Sequence, residues 1–257
     1  MTYLVALGLG ILQGVCEFLP VSSSGHLAVA HAMAERFGAE PVDPVAARTL
    51  DLLMHLATTA SILVVLGPSF LRLLREKPFV LLHAAAGTLP LAALGLFTPL
   101  AALSEIPVRA TVFLFGATAA WLFASEMFSP ASPRRRGMNL ADALLIGLAQ
   151  VLAVPPGISR SGMTLGAGLL CGLERAEAFR FAFLLAIPAN LGACWHHLRD
   201  LPPNGLSVGG PQIVACAAAF LAGCLVLPPM GRILVRRGLQ RFAGYLLLLS
   251  VVLALAL

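Results

Sequence analysis

The chain has 257 residues, of which 59% are hydrophobic and 11% charged, with a mean hydropathy of +0.91 and a net charge of +5. That composition excludes an ordinary soluble globular domain and makes lipid the solvent. It does not imply a nucleic-acid partner, because the arginines sit in short loops beside apolar runs, where membrane topology and anionic lipid headgroups account for them.

The five cysteines (Cys16, Cys171, Cys194, Cys216 and Cys224) show neither a CxxC pair nor metal-ligand spacing, and are expected as small apolar fillers. The apolar start lacks a basic n-region and an A-x-A site, so no cleavable signal is expected.

In chain order the sequence predicts a broken apolar unit over 3–37, spans over 49–68, 79–97 and 108–127, a second broken unit over 140–173, and spans over 177–198, 211–229 and 241–257. In each broken unit the stretch after the Pro, Gly and Ser break is only about 12 residues, or roughly 18 Å of helix, too short to cross about 30 Å of hydrocarbon. Both units are therefore expected as re-entrant hairpins, and non-helical backbone at membrane depth must be buried in protein or line a wet cavity. The expected fold is all-α integral membrane, a single domain over 1–257 with six full spans and two re-entrant hairpins.

Sliding the sequence by 137 positions pairs Gly10 with Gly147, Gln13 with Gln150, and Ser22, Ser24 and Gly25 with Ser159, Ser161 and Gly162. Two copies follow, about 1–128 and about 138–257, each a hairpin plus three spans. Three spans between the hairpins make the second copy thread the bilayer in the opposite sense, an inverted-repeat plan known in transporters. Twelve Lys and Arg residues (72, 75, 77, 134–136, 175, 180, 232, 236, 237 and 241) fall on one face against Arg36, Arg48, Arg109 and Arg199 on the other. The positive-inside rule puts the first face in the cytoplasm and both termini outside. The two polar breaks then approach one shared site from opposite sides.

The first break runs from Gln13 and Glu17, one helical turn apart, through Pro20 to Ser22, Ser23, Ser24, Gly25 and His26. Its serines and Gly25 can expose backbone N–H groups and cap a returning helix, whose N-terminus favours phosphate and a neutral imidazole at His26. Plain capping, with His26 a hydrogen-bonded interior residue, is the bland alternative. Glu17 is a carboxylate inside an apolar segment, which is costly to bury and marks a functional candidate.

The second break holds Gly157, Ser159, Arg160, Ser161 and Thr164. An arginine at the bilayer centre costs about 2.5 to 3.5 kcal/mol even on insertion scales, so Arg160 needs an anion. Glu17 could serve as a structural partner, but a phosphate suits the guanidinium fork better, with Ser159, Ser161, Thr164 and the helix N-terminus as further donors. The reading is an anion site for a lipid headgroup. Asp51 and His55 form another i, i+4 pair; His31, His83, His196 and His197 are read as structural or interfacial, and Glu126, Asp142, Glu174 and Glu177 as solvated near membrane ends.

The run ILQGVCEFLPVSSSGHL followed by PGISRSGMT, with DLLMHLATT and FAFLLAIPANLGA between and after, resembles the bacitracin-resistance family of undecaprenyl-diphosphate phosphatases along the whole chain. The resemblance implies hydrolysis of undecaprenyl diphosphate to undecaprenyl phosphate and inorganic phosphate, a divalent cation such as Mg²⁺ or Ca²⁺, and a multi-pass place in the bacterial inner membrane. It maps the family's (E/Q)xxxE motif to Gln13 and Glu17, its serine and histidine to Ser23 and His26, and its PGxSRSxxT motif to Ser159, Arg160, Ser161 and Thr164. Many members carry Glu where this chain has Gln13, so one motif carboxylate remains and a two-carboxylate metal site is weakened.

The expected mechanism has Arg160 and the second loop holding the diphosphate, a cation on Glu17 helped by Gln13, and His26 as general base for Ser23 or a water. The competing reading is a carrier that flips undecaprenyl phosphate between leaflets with no bond broken. The sequence sets no oligomeric state, and a homo-oligomer stays open.

Overall fold

A computed structural model describes residues 1–38, 43–98, 106–132, 137–202, 205–206 and 208–256. Among them are ten α-helices and no strand: α1 (Tyr3–Cys16), α2 (Ser23–Arg36), α3 (Pro44–Glu76), α4 (Val80–Phe97), α5 (Val108–Phe128), α6 (Leu140–Val151), α7 (Arg160–Leu170), α8 (Arg175–Arg199), α9 (Gly210–Arg237) and α10 (Gln240–Ala256). The helices begin where the sequence supplies caps. Thr2 accepts from Val5 N, Asp43 accepts from Ala46 N ahead of Pro44, and Asn139 and Asp142 form a reciprocal capping box.

The described helices long and apolar enough to cross a membrane are α3, α4, α5, α8 and α9, five rather than the six expected. The remaining apolar segment, α10, has 17 described residues, about 26 Å of helix, and residue 257 lies outside the described residues. Each hairpin arm is short, with 14 residues in α1 and α2, 12 in α6 and 11 in α7.

Two expected span ends are corrected. The helices run past Pro68 to Glu76 and past Pro229 to Arg237, with both prolines inside the helix. Hydropathy marks where the lipid-compatible stretch ends and not where the backbone stops, and neighbouring helices let an apolar helix tolerate proline.

The packing is reciprocal. Helix α1 lies on α9 and α6 lies on α4, while α3 packs on α8 and α5 on α10. Both hairpin contacts depend on glycine. A Cβ on Gly10 would collide with the Ala215 carbonyl, and one on Gly147 with the Gly87 carbonyl, so both helices approach a span backbone to backbone. Large apolar side chains such as Phe97, Phe113, Leu225 and Leu255 remain exposed on the outside, as lipid-facing surface requires.

Helix ends sort to two faces. At one, Arg175 grips Glu126 with Nη1 to Oε1 and Nη2 to Oε2, both 2.6 Å, the backbone N–H of Leu239 donates to the same Oε1 at 2.6 Å, and Lys77 lies 3.5 Å from Glu177. At the other, Arg36 donates to Ala256 O and Arg48 to Asp200 O. Glu126 and Asp142 were expected to be solvated; Asp142 is buried in the capping box and Glu126 is half-buried, its side chain covered in the ion pair, while Glu174 is exposed. A carboxylate at a helix end can sit under its neighbours when charge-assisted donors saturate it. Of the basic residues used for orientation, Arg134, Arg135 and Arg136 lie outside the described residues.

Candidate functional site

The two breaks meet. Helix α1 ends at Cys16, and the chain turns through 17–22 into α2, whose first residue is Ser23; α6 ends at Val151, and the chain turns through 152–159 into α7, whose first residue is Arg160. Both returning helices are capped alike. Ser22 Oγ accepts from Gly25 N at 3.3 Å and Ser159 Oγ from Gly162 N at 3.1 Å, with Ser24 Oγ 3.5 Å from Ser22 Oγ and Ser161 Oγ 3.3 Å from Ser159 Oγ.

The joint between the loops runs through Ser22. Its φ of 69° puts a non-glycine residue in the left-handed region, the one such case among the described residues. That turn aims its Oγ across the molecule to accept from Gly157 N at 3.0 Å. Gly157, at φ 101°, has no room for a Cβ against Thr111 and Leu114. Thr118 on α5 braces the same loop, donating to Gly157 O at 2.8 Å and accepting from Ser159 N at 3.2 Å. Ser161 Oγ donates to Leu19 O at 3.0 Å, a second tie between the loops.

The charged centre is Glu17. Its Oε1 accepts from Arg160 Nη2 at 2.6 Å; its Oε2 accepts from Ser23 Oγ at 2.6 Å and from Gln13 Nε2 at 3.2 Å. Burial of this pair in apolar surroundings strengthens the attraction and makes loss of either partner costly. A small cleft of about 10 Å³ lies beside it, lined by Glu17, Arg160 and Ser161 and by the apolar side chains of Phe18, Ile62 and Phe183, room for about one water as the helices stand. The N-termini of α2 and α7 both face this region, supplying N–H groups and partial positive charge where an anion would sit.

The predicted residues thus divide by position. Gln13, Glu17, Ser23, Arg160 and Ser161 come together at the cleft, and Ser22, Gly25 and Gly157 form the backbone joint behind it. Ser159 and Thr164 are buried with their hydroxyls committed to the turn of α7, Thr164 donating to Arg160 O at 3.0 Å and Ser161 O at 3.2 Å. Ser24 is exposed at the edge.

His26 points elsewhere. Its Nδ1 lies 2.7 Å from Ser22 O and its Nε2 2.8 Å from Tyr245 Oη on α10, and no hydrogen bond joins the ring to Glu17 or Arg160.

Four contributors escaped the sequence reading. Tyr245 and Thr118 carry no motif and sit on spans distant in the chain. Phe115 packs edge-on against His26 with ring centroids 5.0 Å apart. Asn190 on α8 is fully buried; its amide faces Glu17 without meeting hydrogen-bond geometry. A buried amide in an apolar span was the available signal for Asn190, within the FAFLLAIPANLGA stretch. His55 bonds through Nδ1 to the carbonyl of Asp51 in its own helix at 2.8 Å, and its ring lies 6.1 Å from that of His197.

Among the described residues no group of three or more His, Cys, Asp or Glu is arranged to hold a metal. Gln13 turns its Nε2 toward the Glu17 carboxylate, and its Oε1 is buried without a partner. With its amide turned over, Gln13 would add an oxygen to the single Glu17 carboxylate, a set that suits Mg²⁺ with water and substrate phosphate completing its shell and not an all-protein cage.

The sequence was compared with known proteins. The family description "Bacitracin resistance protein BacA" matches residues 6–252. Relatives named undecaprenyl-diphosphatase include one from Thermosipho melanesiensis, 34% identical over 253 residues and covering 95% of each chain. Another, from Protochlamydia amoebophila, is 36% identical over 261 residues, covering 98% of this chain and 97% of the other. A third, from Rhodopirellula baltica, is 38% identical over 225 residues, covering 85% and 84%. With a match from the first hairpin to the last span, this chain belongs to the bacitracin resistance protein BacA family.

Proposed function

We propose that this protein is a membrane phosphatase that hydrolyses undecaprenyl diphosphate to undecaprenyl phosphate and inorganic phosphate, recycling a lipid carrier in the bacterial inner membrane. One observation carries the reading: a half-buried arginine from one hairpin and a serine from the other end on the same buried carboxylate, Glu17. A flippase needs positive charge for its cargo, whereas it has no use for a hydroxyl already hydrogen-bonded to a buried base.

In this reading the chain is two inverted copies, about 1–128 and about 138–257, with both termini on the outer face. The matched caps at Ser22 and Ser159 and the reciprocal packing of α1 on α9 and α6 on α4 support it. The sorting of Arg175, Lys77 and Leu239 to one end, away from Arg36 and Arg48, supports the orientation.

Arg160 leaves Glu17 for the diphosphate, which its guanidinium can grip with two N–H donors while Ser161 and the N-terminus of α7 add more. Gln13 and Glu17 would hold the divalent cation, Mg²⁺ or Ca²⁺, which would offset the negative charge on the phosphoryl oxygens. Attack on the terminal phosphorus breaks its bond to the bridging oxygen, and undecaprenyl phosphate leaves with that oxygen. If Ser23 attacks, Glu17 Oε2 is the nearest acceptor of its proton, and a water must then hydrolyse the phosphoserine to free inorganic phosphate and the serine; if water attacks directly, Nε2 of His26 takes the proton. A phosphoserine trapped at Ser23 assigns the first route, and substantial turnover in Ser23→Ala assigns the second.

The test is release of inorganic phosphate from the C55 diphosphate by purified protein in detergent. Release is expected for the wild type, and its loss for Arg160→Ala and Glu17→Ala. Absence of release from folded wild-type protein, with movement of undecaprenyl phosphate across liposomes, would sink the reading in favour of a carrier.

A further inference from the structure

We infer that Tyr245 is a latch on His26: its hydroxyl occupies the ring nitrogen that takes the proton when water attacks, and the reacting diphosphate has to displace it. This rests on the proposed phosphatase reading and adds a positioning residue to it.

The argument starts from what each atom can do. Ser22 O is a carbonyl and can only accept, so the 2.7 Å contact places a hydrogen on Nδ1 of the neutral ring. The other nitrogen, Nε2, then carries the lone pair, and the Tyr245 hydroxyl 2.8 Å away donates to it. The tautomer is assigned by its partners. The neutral ring has one lone pair for accepting protons, and the phenol holds it.

The surroundings keep it there. The Tyr245 ring lies parallel to the imidazole, 10° between planes and 5.8 Å between centroids, and Phe115 of α5 closes the other approach edge-on at 5.0 Å. Tyr245 sits among Leu246, Leu247, Leu248 and Leu249 on a lipid-facing helix, 46% exposed. A phenol on so apolar a stretch has few other partners and loses heavily if left unpaired, so it holds the partner it has. Meanwhile the nucleophile candidate Ser23, three residues before His26, is bonded to Glu17 and not to the imidazole. As folded, the base is disengaged from the reaction centre. It becomes available when its ring turns from α10 or when a water bound beside the phosphate takes the hydroxyl's place.

The latch predicts a specific split. The bond to Tyr245 opposes formation of the reactive complex, so Tyr245→Phe is expected to lower KM for the C55 diphosphate about two- to tenfold while kcat holds, the range one neutral hydrogen bond supplies. A structural role would instead reduce the amount of folded protein or lower kcat. An independent readout uses diethyl pyrocarbonate, which reacts with the imidazole lone pair. In the full-length protein without substrate, His26 is expected to be modified several-fold faster in Tyr245→Phe than in the wild type, with His83 as an unchanged internal control. Tyr245→Met, which also lacks the donor, is the second variant and should show both changes.

Equal modification of His26 in all three proteins overturns the latch, as does a fall in kcat with KM unchanged or raised. If the wild type releases no phosphate at all, the phosphatase reading fails on its own, and the modification rates still decide whether Tyr245 guards His26.

Discussion

Ser23 and Arg160 are the first residues of α2 and α7, lie 137 positions apart, and both end on the carboxylate of Glu17. The same turn, capped by the same serine, delivers an uncharged donor from one half and a cation from the other. The carboxylate itself has no counterpart, since the position 137 after Glu17 is Val154. Two loops capped alike thus carry different charges, and that asymmetry is what lets them attract.

Removing either member of the Glu17–Arg160 pair strands a buried charge. Arg160→Ala and Glu17→Ala are each expected to destabilise the folded protein by about 3 to 5 kcal/mol, and the double variant by less than the sum. Denaturation of the purified proteins in detergent measures the coupling; additive losses would show that the pair is not interacting. Arg160→Lys keeps the charge and loses the fork, and should still reduce kcat/KM by about 100-fold or more.

Restoring a second carboxylate should strengthen cation use. Gln13→Glu places it one turn from Glu17, and the concentration of Mg²⁺ or Ca²⁺ giving half-maximal phosphate release is expected to fall several-fold. An unchanged cation requirement would remove Gln13 from the set of donors.

The approach of α1 to α9 is set by Gly10. Gly10→Leu is expected to abolish the folded species, because the obstacle is the Ala215 carbonyl and cannot rotate away. Gly8→Leu, on the same helix with open space beyond, should elute as the wild type does. Gel filtration of both variants reads the difference.

The Glu126 clamp ties the ends of α5, α8 and α10 at a distance from the cleft. Glu126→Ala is expected to lower stability by about 1.5 to 3 kcal/mol, the usual worth of a charge-assisted hydrogen bond, while activity per folded molecule stays near the wild type. Thermal unfolding and specific activity on the same preparation separate the two; a selective loss of activity would connect the clamp to the site.

Much of this arrangement was legible in the chain. Apolar run lengths gave the helices, because lipid leaves no alternative for unpaired backbone groups. The proline, glycine and serine clusters located both breaks, and the S-x-S-G match across 137 positions foresaw two identical caps. Glu17 and Arg160 stood out because charge is expensive inside an apolar run. Where the reading fell short, the missing information was spatial. Glu126 and Asp142 looked like ordinary solvated ends until neighbouring helices and caps covered them, and Pro68 and Pro229 looked like stops until packing carried the helices through.

By itself the sequence determined the lipid-bound helical class, the positions of the two breaks and the identity of the charged residues, since each follows from local composition and spacing. Tertiary structure alone decided that Arg160 pairs with Glu17, that Ser22 bonds Gly157 across the halves, and that His26 faces Tyr245 rather than the cleft. The reason is geometric: a hydrogen bond depends on a few tenths of an ångström and on the direction of a lone pair, and residues 135 to 219 positions apart acquire those only when the helices carrying them pack.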